Sequence, residues 1–398
     1  MSIITFFVNQ SLESPAGVGR YFPIAKNLVE LGYKVNILAL HHDFNSLKEK
    51  KFVKDGVNIY YVGQMQVLKQ GDKKTYLSRN NLIKTVLSST FNMCLKGLKL
   101  KSDILYVFKP QPINGTAAFL TKILKGKKLI VDCDDYEAKS NRFSSFIDEN
   151  AFIFFENNLP RIANKITIHN SFLINRYKNL GINKEKIFYL PNGVDFERFE
   201  KTNDKLISNI KNKFKLKNKK VILYFGSLSL KSGHSVDLLI KAFELVNKKI
   251  KNSVLLLVGG GEDIDLLKEK SKNLESIIFV GRVAQEDIPS YIKISDVTVD
   301  PVYDSLPNKC RSPLKIVESM VMGVPVVTGD VGDRKIITEN GKTALIVKSG
   351  NEKDLAEGII KLLKDKKLHK KLSKNSLEIA KKYDWKELTN KLNKIISS

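Results

Sequence analysis

The sequence contains few cysteines and no long apolar run, and these two features exclude several classes of protein. Cys94, Cys133 and Cys310 are the three cysteines in 398 residues, and they are widely spaced. That number and spacing fit a reducing compartment and argue against a disulfide framework or a structural zinc site. No stretch approaches the roughly 18 apolar residues of a membrane-spanning helix. The N-terminal "MSIITFFVNQ" lacks a basic start, so we expect a buried strand there rather than a signal peptide.

Acidic residues are also scarce relative to basic ones. The chain has 67 Lys and Arg against 42 Asp and Glu, a formal charge of +25, and only nine of the basic residues are Arg. Such an excess is typical of proteins that bind nucleic acid or an anionic membrane, although a lysine-rich solvated surface also produces it. Because no helix-turn-helix, zinc-finger or aromatic RNA-binding pattern is present, we expect no nucleic-acid partner. We expect a cytoplasmic protein. If the positive charge binds an anionic membrane, the protein would lie at the inner face of the cell membrane.

Short apolar runs alternate with segments of helical period along the whole chain. This alternation is typical of parallel sheets covered by helices on both faces. It restarts near "PNGVDFERFEKTND", so we predict an α/β fold of two Rossmann-like domains, residues 1–193 and 194–380, with a ligand cleft between them. The predicted strands are 3–8, 35–40, 104–108, 129–132, 165–169 and 187–190 in the first half, and 221–226, 254–258, 277–280, 297–300, 325–328 and 344–347 in the second.

Glycine-containing turns follow several of these strands. In "SPAGVGRY", Gly17 and Gly19 would let backbone N–H groups approach a phosphate, with Arg20 beside them; a tight turn accounts for the glycines equally well. In "YFGSLSLKSGH", Gly226 allows the backbone to bend around an anion and Lys231 would supply a countercharge. The first turn lacks the third glycine and the well-placed acid of a nicotinamide-binding site, which argues against a dehydrogenase.

The segment "CRSPLKIVES" predicts a second anion site at the start of a helix. Ser312 is a favoured N-cap residue, and Pro313 suits the first helical position. The amides of Leu314 and Lys315 would then lie at the positive end of the helix dipole. Glu318 lies on the same face as Lys315 and suits a sugar diol, so the pattern fits a nucleotide diphosphate. An ordinary capped helix with a surface Lys–Glu pair is the alternative.

The order of these motifs resembles the family 4 glycosyltransferases, which are retaining enzymes of the GT-B fold in the glycosyl transferases group 1. Each motif alone is modest, but the series at the expected spacing is specific. The similarity is densest after residue 187 and extends to the first domain. The matching segments are "PAGVGRYFPIAKNLVELGYKVNILA", "LPNGVD", "LYFGSLSLKSG", "LLLVGGGED", "IIFVGRVAQEDIPSYIKISDVTVDP", "KIVESMVMGVPVVTGDVGD" and "GKTALIVKSGNEKDLAEGIIKLL".

The resemblance implies metal-independent transfer of a sugar from a UDP- or GDP-sugar to an acceptor hydroxyl, with no cofactor. The acceptor would be a glycan or lipid-linked glycan in cell-surface polysaccharide or glycolipid synthesis. A C-terminal helix, 381–398, would cross back to the first domain. Glu318 would hold the ribose, and the loop at 281–283 would meet the base. The residues that the resemblance assigns to the donor site are Gly17, Gly19, Gly226, Ser227, Arg282, Val283, Cys310, Ser312, Pro313, Leu314, Lys315 and Glu318.

Three departures from the family pattern affect the expected chemistry. Cys310 stands where the family has a sugar-binding glutamate, and Ser227 where it often has arginine. Both motivate an alternative, a non-catalytic nucleotide-sugar-binding partner or scaffold of another transferase. After the strand ending in "LIVDCDDYE", Asp134 and Asp135 stand where relatives carry a histidine. We name Lys231, Asp134 and Asp135 as catalytic candidates, although the two acids would equally position an acceptor, bind a cation or cap a helix.

The basic stretch 79–103 is the candidate membrane contact. Leu82, Val86, Leu87 and Met93 would face the acyl boundary with lysines around them. Burial of that face inside the first domain is the alternative.

Overall fold

The computed structural model describes residues 1–14, 16–70, 73–140, 143, 145–230 and 233–398. Lys231, a catalytic candidate, lies outside the described residues. The chain forms two compact units, one made of Met1–Asn192 with Leu388–Ser398 and the other of Gly193–Glu387.

The first unit is built on an eight-stranded sheet of order β10-β9-β8-β7-β1-β2-β4-β3, with a separate two-stranded hairpin, β5-β6. Neighbouring strands of the main sheet are parallel except β3, which is antiparallel to β4. The strands are β1 (Ile3–Val8), β2 (Lys34–His41), β3 (Lys51–Lys54), β4 (Val57–Gln64), β5 (Val67–Gln70), β6 (Lys73–Tyr76), β7 (Ile104–Phe108), β8 (Lys128–Cys133), β9 (Lys165–Ile168) and β10 (Ile187–Tyr189). The helices are α1 (Phe22–Glu30), α2 (Arg79–Lys99), α3 (Pro112–Lys125), α4 (Glu137–Ser140), α5 (Phe146–Ile162) and α6 (Ser171–Asn179).

The second unit has a fully parallel six-stranded sheet of order β13-β12-β11-β14-β15-β16. Its strands are β11 (Lys220–Phe225), β12 (Ser253–Val258), β13 (Ile277–Gly281), β14 (Val297–Asp300), β15 (Val326–Gly329) and β16 (Ala344–Val347). Its helices are α7 (Phe196–Glu200), α8 (Asp204–Lys213), α9 (Val236–Lys249), α10 (Ile264–Lys270), α11 (Ile288–Lys293), α12 (Leu306–Lys309), α13 (Leu314–Val321), α14 (Arg334–Ile337), α15 (Glu352–Lys364) and α16 (Lys366–Ile379). The last helix, α17 (Trp385–Ser397), continues into the C-terminal residues that belong to the first unit.

The predicted α/β class with parallel sheets is confirmed. Buried strands such as β7 and β12 are continuous apolar runs because helices cover both faces of their sheets. Two apolar layers flank the second sheet, one centred on Phe243 of α9 and the other on Met320 of α13. Strands β3 to β6 are additions that the sequence analysis did not predict.

Helix α2 corrects the predicted membrane contact. Met93 is fully buried in the core of the first unit, and Val86 packs against that core. Leu87 is exposed, as expected. The predicted face is therefore mostly the inner face of α2, because its apolar residues cover the sheet. Within the described part of the chain, no helix combines the length and apolar character needed to span a bilayer.

Candidate functional site

The order of the second sheet points to a candidate ligand site at the carboxyl ends of its central strands. The strand order reverses between β11 and β14, and open parallel sheets bind ligands at such a switch point, beyond the carboxyl ends of the strands. Gly226 follows β11 there, and Asp300 ends β14. Helix α13 begins fourteen residues after Asp300, at Leu314, and its first turn brings Lys315 to Gly226.

The start of α13 differs by one residue from the prediction. Pro313 takes the N-cap position in an extended conformation, with φ −75° and ψ 104°, and the helix begins at Leu314. Ser312 was predicted as the cap and is instead buried one residue earlier. The prediction was wrong because proline's fixed φ suits the cap as well as the first turn. The first amides of α13 still lack partners within the helix, as in any α-helix, so an anion can bind there.

Lys315 has an environment that disfavours its own charge. Its Nζ lies 4.0 Å from the centre of the Tyr224 ring and 3.7 Å from Asp300 Oδ1, and the side chain is 14% exposed. Burial lowers the pKa of Lys315 to about 8; Asp300 opposes this shift, while the nearby guanidinium groups of Arg311 and Arg334 add to it. An ammonium held this way gains most from an anionic ligand, which would restore its charge.

Asp300 forms a buried ion pair with Arg334. Its Oδ2 accepts hydrogen bonds from Arg334 Nε at 2.7 Å and Thr328 Oγ1 at 2.9 Å. Burial alone would raise the pKa of Asp300, but Arg334 and Lys315 outweigh it and the pKa is lowered. Arg334 also donates to two backbone carbonyls and is buried, so it serves the fold rather than a ligand.

Glu318 makes a contact that the sequence did not predict. Its Oε1 accepts a hydrogen bond from Arg198 Nη2 at 2.5 Å, and the two side chains are only 14% and 19% exposed. Among the described residues, none donates a hydrogen bond to the other carboxylate oxygen. A carboxylate near a diphosphate would repel it, and Arg198 offsets that charge while leaving one oxygen available to a diol. Arg198 follows the "LPNGVD" motif but lies 120 residues from Glu318, so no local pattern indicated the pair.

The turns around this edge are shaped by close backbone approach. A Cβ on Gly259 would lie 1.8 Å from the carbonyl oxygen of Gly226, so a side chain at 259 is excluded. Gly226 N donates to Val258 O at 2.9 Å, which holds the two turns together. The carbonyl of Ser227 accepts from Tyr224 Oη at 2.7 Å. These glycines allow the two turns to pack closely. They also leave room for a ligand to approach the backbone.

Three more of the predicted donor residues lie in the second unit. Arg282 lies against Gly260, where an added Cβ would be 2.5 Å from Arg282 Nε. Val283 packs against the apolar layer that contains Met320. Cys310 is completely buried before α13. His234 is neutral because burial, followed by Lys315 and Arg311, lowers its pKa to about 2.

The first sheet carries a mixed-charge cluster beside its own switch point, beyond the carboxyl ends of β7 and β8. Lys109 Nζ lies 3.3 Å from Asp134 Oδ1, 2.8 Å from Asp135 Oδ2 and 2.7 Å from Glu137 Oε1. The three acids have oxygens within 4.8 Å of one another, a spacing that would suit a metal ion. Here an ammonium provides the positive charge among them.

Two buried oxygens beside Lys109 accept no hydrogen bond from the described residues. In the described part of the chain, Asn9 Oδ1 and Asp134 Oδ1 have no hydrogen-bond partner, and both residues line a small pocket beside Lys109. Burial raises the pKa of Asp134 well above its ordinary value; Lys109 opposes this, and Asp135 and Glu137 add to it. These oxygens can accept hydrogen bonds from a hydroxyl-bearing molecule.

The predicted phosphate loop of the first unit is only partly as expected. Gly17–Tyr21 forms a π-helical turn that includes Gly19. A Cβ on Gly17 would lie 2.2 Å from the carbonyl oxygen of Leu12, so the glycine is needed for packing. Arg20, which the sequence placed beside a candidate phosphate site, is engaged by groups of its own unit. Its Nε and Nη2 bind both oxygens of buried Asp132 at 2.8 and 2.7 Å, and further bonds reach residues 190–192.

Residues 207–379 match the family model described as Glycosyl transferases group 1. The GDP-mannose-dependent alpha-(1-6)-phosphatidylinositol monomannoside mannosyltransferase of Mycobacterium tuberculosis is 24% identical over 206 residues, 50% of this chain and 53% of the relative. The mannosylfructose-phosphate synthase of Agrobacterium fabrum is 27% identical over 228 residues, 54% of this chain and 48% of the relative. The chain thus spans about half the length of the curated relatives it matches.

Solved structures match over the whole chain. Anabaena HepE in complex with UDP-glucose has a TM-score of 0.75 at 18% identity, with 100% of both chains covered. Sucrose-phosphate synthase from Thermosynechococcus elongatus has a TM-score of 0.75 at 16% identity, with 100% of this chain and 98% of that chain covered. At these identities the likeness shows the fold, which is the two-Rossmann-domain GT-B fold. The predicted resemblance to the glycosyl transferases group 1 is confirmed.

Proposed function

We propose that this chain, which resembles the glycosyl transferases group 1, transfers a sugar from a UDP- or GDP-sugar to an acceptor hydroxyl. The observation that carries the proposal is the arrangement at the start of α13. One short segment carries the first amides of α13, which have no acceptor within the helix, together with Lys315, whose pKa is lowered by burial, and Glu318, which is paired with Arg198. This arrangement suits a diphosphate followed by a ribose. Cell-surface polysaccharide, glycolipid or lipid-linked glycan is the proposed acceptor class.

The proposed reaction keeps the anomeric configuration. The bond from the anomeric carbon to the diphosphate oxygen breaks as the acceptor oxygen bonds to the same face of that carbon, and the acceptor proton passes to the leaving diphosphate. Lys315 and the first amides of α13 would stabilise the charge that develops on the diphosphate. Lys231 stays a candidate for the same role.

The first unit is proposed to bind the acceptor through the pocket at Asn9 and Asp134. Burial raises the pKa of Asp134, which favours its neutral form. A neutral carboxyl suits hydrogen bonding to a sugar hydroxyl better than removal of its proton. This supports positioning as its role. The contacts of Lys109 with the three acids support a transfer that needs no metal at this cluster.

A non-catalytic nucleotide-sugar-binding protein is the second candidate. It is favoured by the complete burial of Cys310, which replaces a family glutamate that would contact the donor sugar. A buried thiol is a poor acceptor for sugar hydroxyls, so the donor would be held mainly by its nucleotide.

Thermal unfolding with a panel of UDP- and GDP-sugars tests the donor site. We expect a donor to raise the melting temperature of the wild type, because it binds only the native state. Glu318→Gln should abolish that rise, whereas Glu269→Gln, an exposed glutamate paired with Lys272, should keep it. If no UDP- or GDP-sugar stabilises the wild type, the proposal is wrong. Donor binding without transfer or hydrolysis across a broad acceptor panel would favour the non-catalytic alternative.

A further inference from the structure

The outer face of α2 carries a row of large apolar side chains. Ile83, Leu87, Phe91 and Leu95 are spaced by four residues and are 46%, 65%, 63% and 37% exposed. Four-residue spacing places them one above another on the same side of the helix. The row lies on the side of α2 away from Met93, which is buried in the core. None of the four belongs to the apolar core of the described part of the unit.

The neighbouring helix, α3, exposes two further large apolar side chains. Ile123 and Leu124 are 60% and 67% exposed. The two helices lie side by side, because a Cβ on Gly97 of α2 would come within 2.9 Å of Thr121 Oγ1 of α3. Near their ends, Lys125 Nζ donates to Leu100 O at 2.6 Å. We call Ile83, Leu87, Phe91, Leu95, Ile123 and Leu124 the α2–α3 surface.

The two helices themselves carry charge of one sign only. Residues 79–99 and 112–125 contain no Asp or Glu. Arg79 is paired with Asp148 of α5, and Lys96 lies 4.0 Å from the centre of the Tyr60 ring. The basic residues of the two helices are Arg79, Lys84, Lys96, Lys99, Lys122 and Lys125.

The combination of apolar rows and lysines selects one kind of partner. Lysine is depleted at protein–protein interfaces, where its flexible side chain must be ordered and its charge desolvated. At a bilayer, the same lysines remain hydrated among lipid headgroups while Leu, Ile and Phe enter the acyl boundary. Anionic lipid also complements the single sign of charge.

We propose that the α2–α3 surface docks this chain onto an anionic lipid bilayer, with the apolar rows inserted at the headgroup–acyl boundary. The helices lie in the membrane plane and do not cross it. Docking of this kind gives the proposed lipid-linked acceptor a route to the first unit, but it requires no turnover. Failure of the transferase proposal would therefore leave it intact.

Co-sedimentation of the full chain with lipid vesicles tests the proposal. We expect binding to vesicles containing phosphatidylglycerol and little binding to pure phosphatidylcholine. Leu87→Ser with Phe91→Ser should reduce the partition coefficient on the order of tenfold or more, because two inserted side chains are lost. Leu266→Ser with Leu377→Ser is the matched control, since these leucines of the second unit are 48% and 49% exposed. The control should bind like the wild type.

Two further variants distinguish docking through this surface from binding through the donor site. Lys84→Gln with Lys122→Gln should weaken binding to anionic vesicles and reduce its salt dependence. Glu318→Ala should leave vesicle binding unchanged. Equal binding by the wild type and the Leu87/Phe91 variant, or equal loss in the Leu266/Leu377 control, would overturn the proposal. The proposal would also fail if the wild type did not bind anionic vesicles but self-associated in ultracentrifugation through Leu87 and Phe91. A second copy of the chain would then cover the surface.

Discussion

Each unit has a lysine near the switch point of its sheet, and the surroundings of the two lysines shift their pKa values in opposite directions. Lys109 in the first unit lies among three carboxylates, which outweigh the effect of burial and raise its pKa. Lys315 in the second unit has one ion-pair partner among the described residues, Asp300, which is already paired with Arg334, and burial lowers the pKa of Lys315 to about 8. The charge of Lys109 is balanced by carboxylates of the protein, whereas the charge of Lys315 is balanced less well and would be favoured by an anionic ligand. Similar sheets thus support the two proposed roles, hydroxyl binding in the first unit and anion binding in the second.

Replacing each lysine by methionine should give the largest difference between the units. Lys109→Met leaves the buried Glu137 and the half-buried Asp135 without their shared cation, so we expect a loss of about 3–5 kcal/mol in the free energy of unfolding. Lys315→Met should change stability by less than about 1 kcal/mol, because Asp300 keeps its bonds to Arg334 and Thr328. Denaturant unfolding of both variants measures this. Equal losses would show that the two lysines do not differ in role.

Arg198 offers a smaller but more specific test of the second unit. Removing a hydrogen bond to a charged group costs about 1.5–3 kcal/mol, so Arg198→Ala should weaken nucleotide binding by about 10- to 100-fold. Arg198→Lys should recover part of this. If Arg198 orients Glu318 toward the ribose, Arg198→Ala and Glu318→Gln should be non-additive and both should reduce the preference for ribonucleotides over 2′-deoxynucleotides. Fully additive effects with unchanged ribose preference would indicate a merely structural ion pair.

The sequence predicted the regular part of the fold well because apolar runs and helical period are local signals. Strands β1, β7, β14 and β16 have the predicted bounds. The hairpin of β3 and β4 was missed although its turn, Asp55-Gly56, is a strong hairpin signal. Both turn residues have positive φ, 48° and 75°, as the tight two-residue turn requires. The "KFVKDGVNIYYVG" pattern therefore held the information.

The site was harder to predict from the sequence because its ion pairs join residues that are far apart in the chain. The start of α13 was found from Pro313, Lys315 and Glu318, which are close in sequence. The Arg198–Glu318 pair joins residues 120 positions apart, and Arg20 reaches Asp132 over 112. Residue type gave no sign that Arg20 would be buried and Lys315 left short of partners. Only the packing of the sheets decides that.

The pH dependence of nucleotide binding should give the smallest of these effects and the most direct view of Lys315. Its pKa is lowered in the free protein to about 8, so its charge is present below that pH and is lost as the pH rises. A bound diphosphate favours the ammonium, and binding above pH 8 must take up a proton. Affinity should therefore fall by about fivefold from pH 8 to 9, as titration calorimetry in buffers of different ionisation enthalpy can measure. Lys315→Arg stays charged over this range and should show no fall; the same fall in that variant would place the titrating group elsewhere.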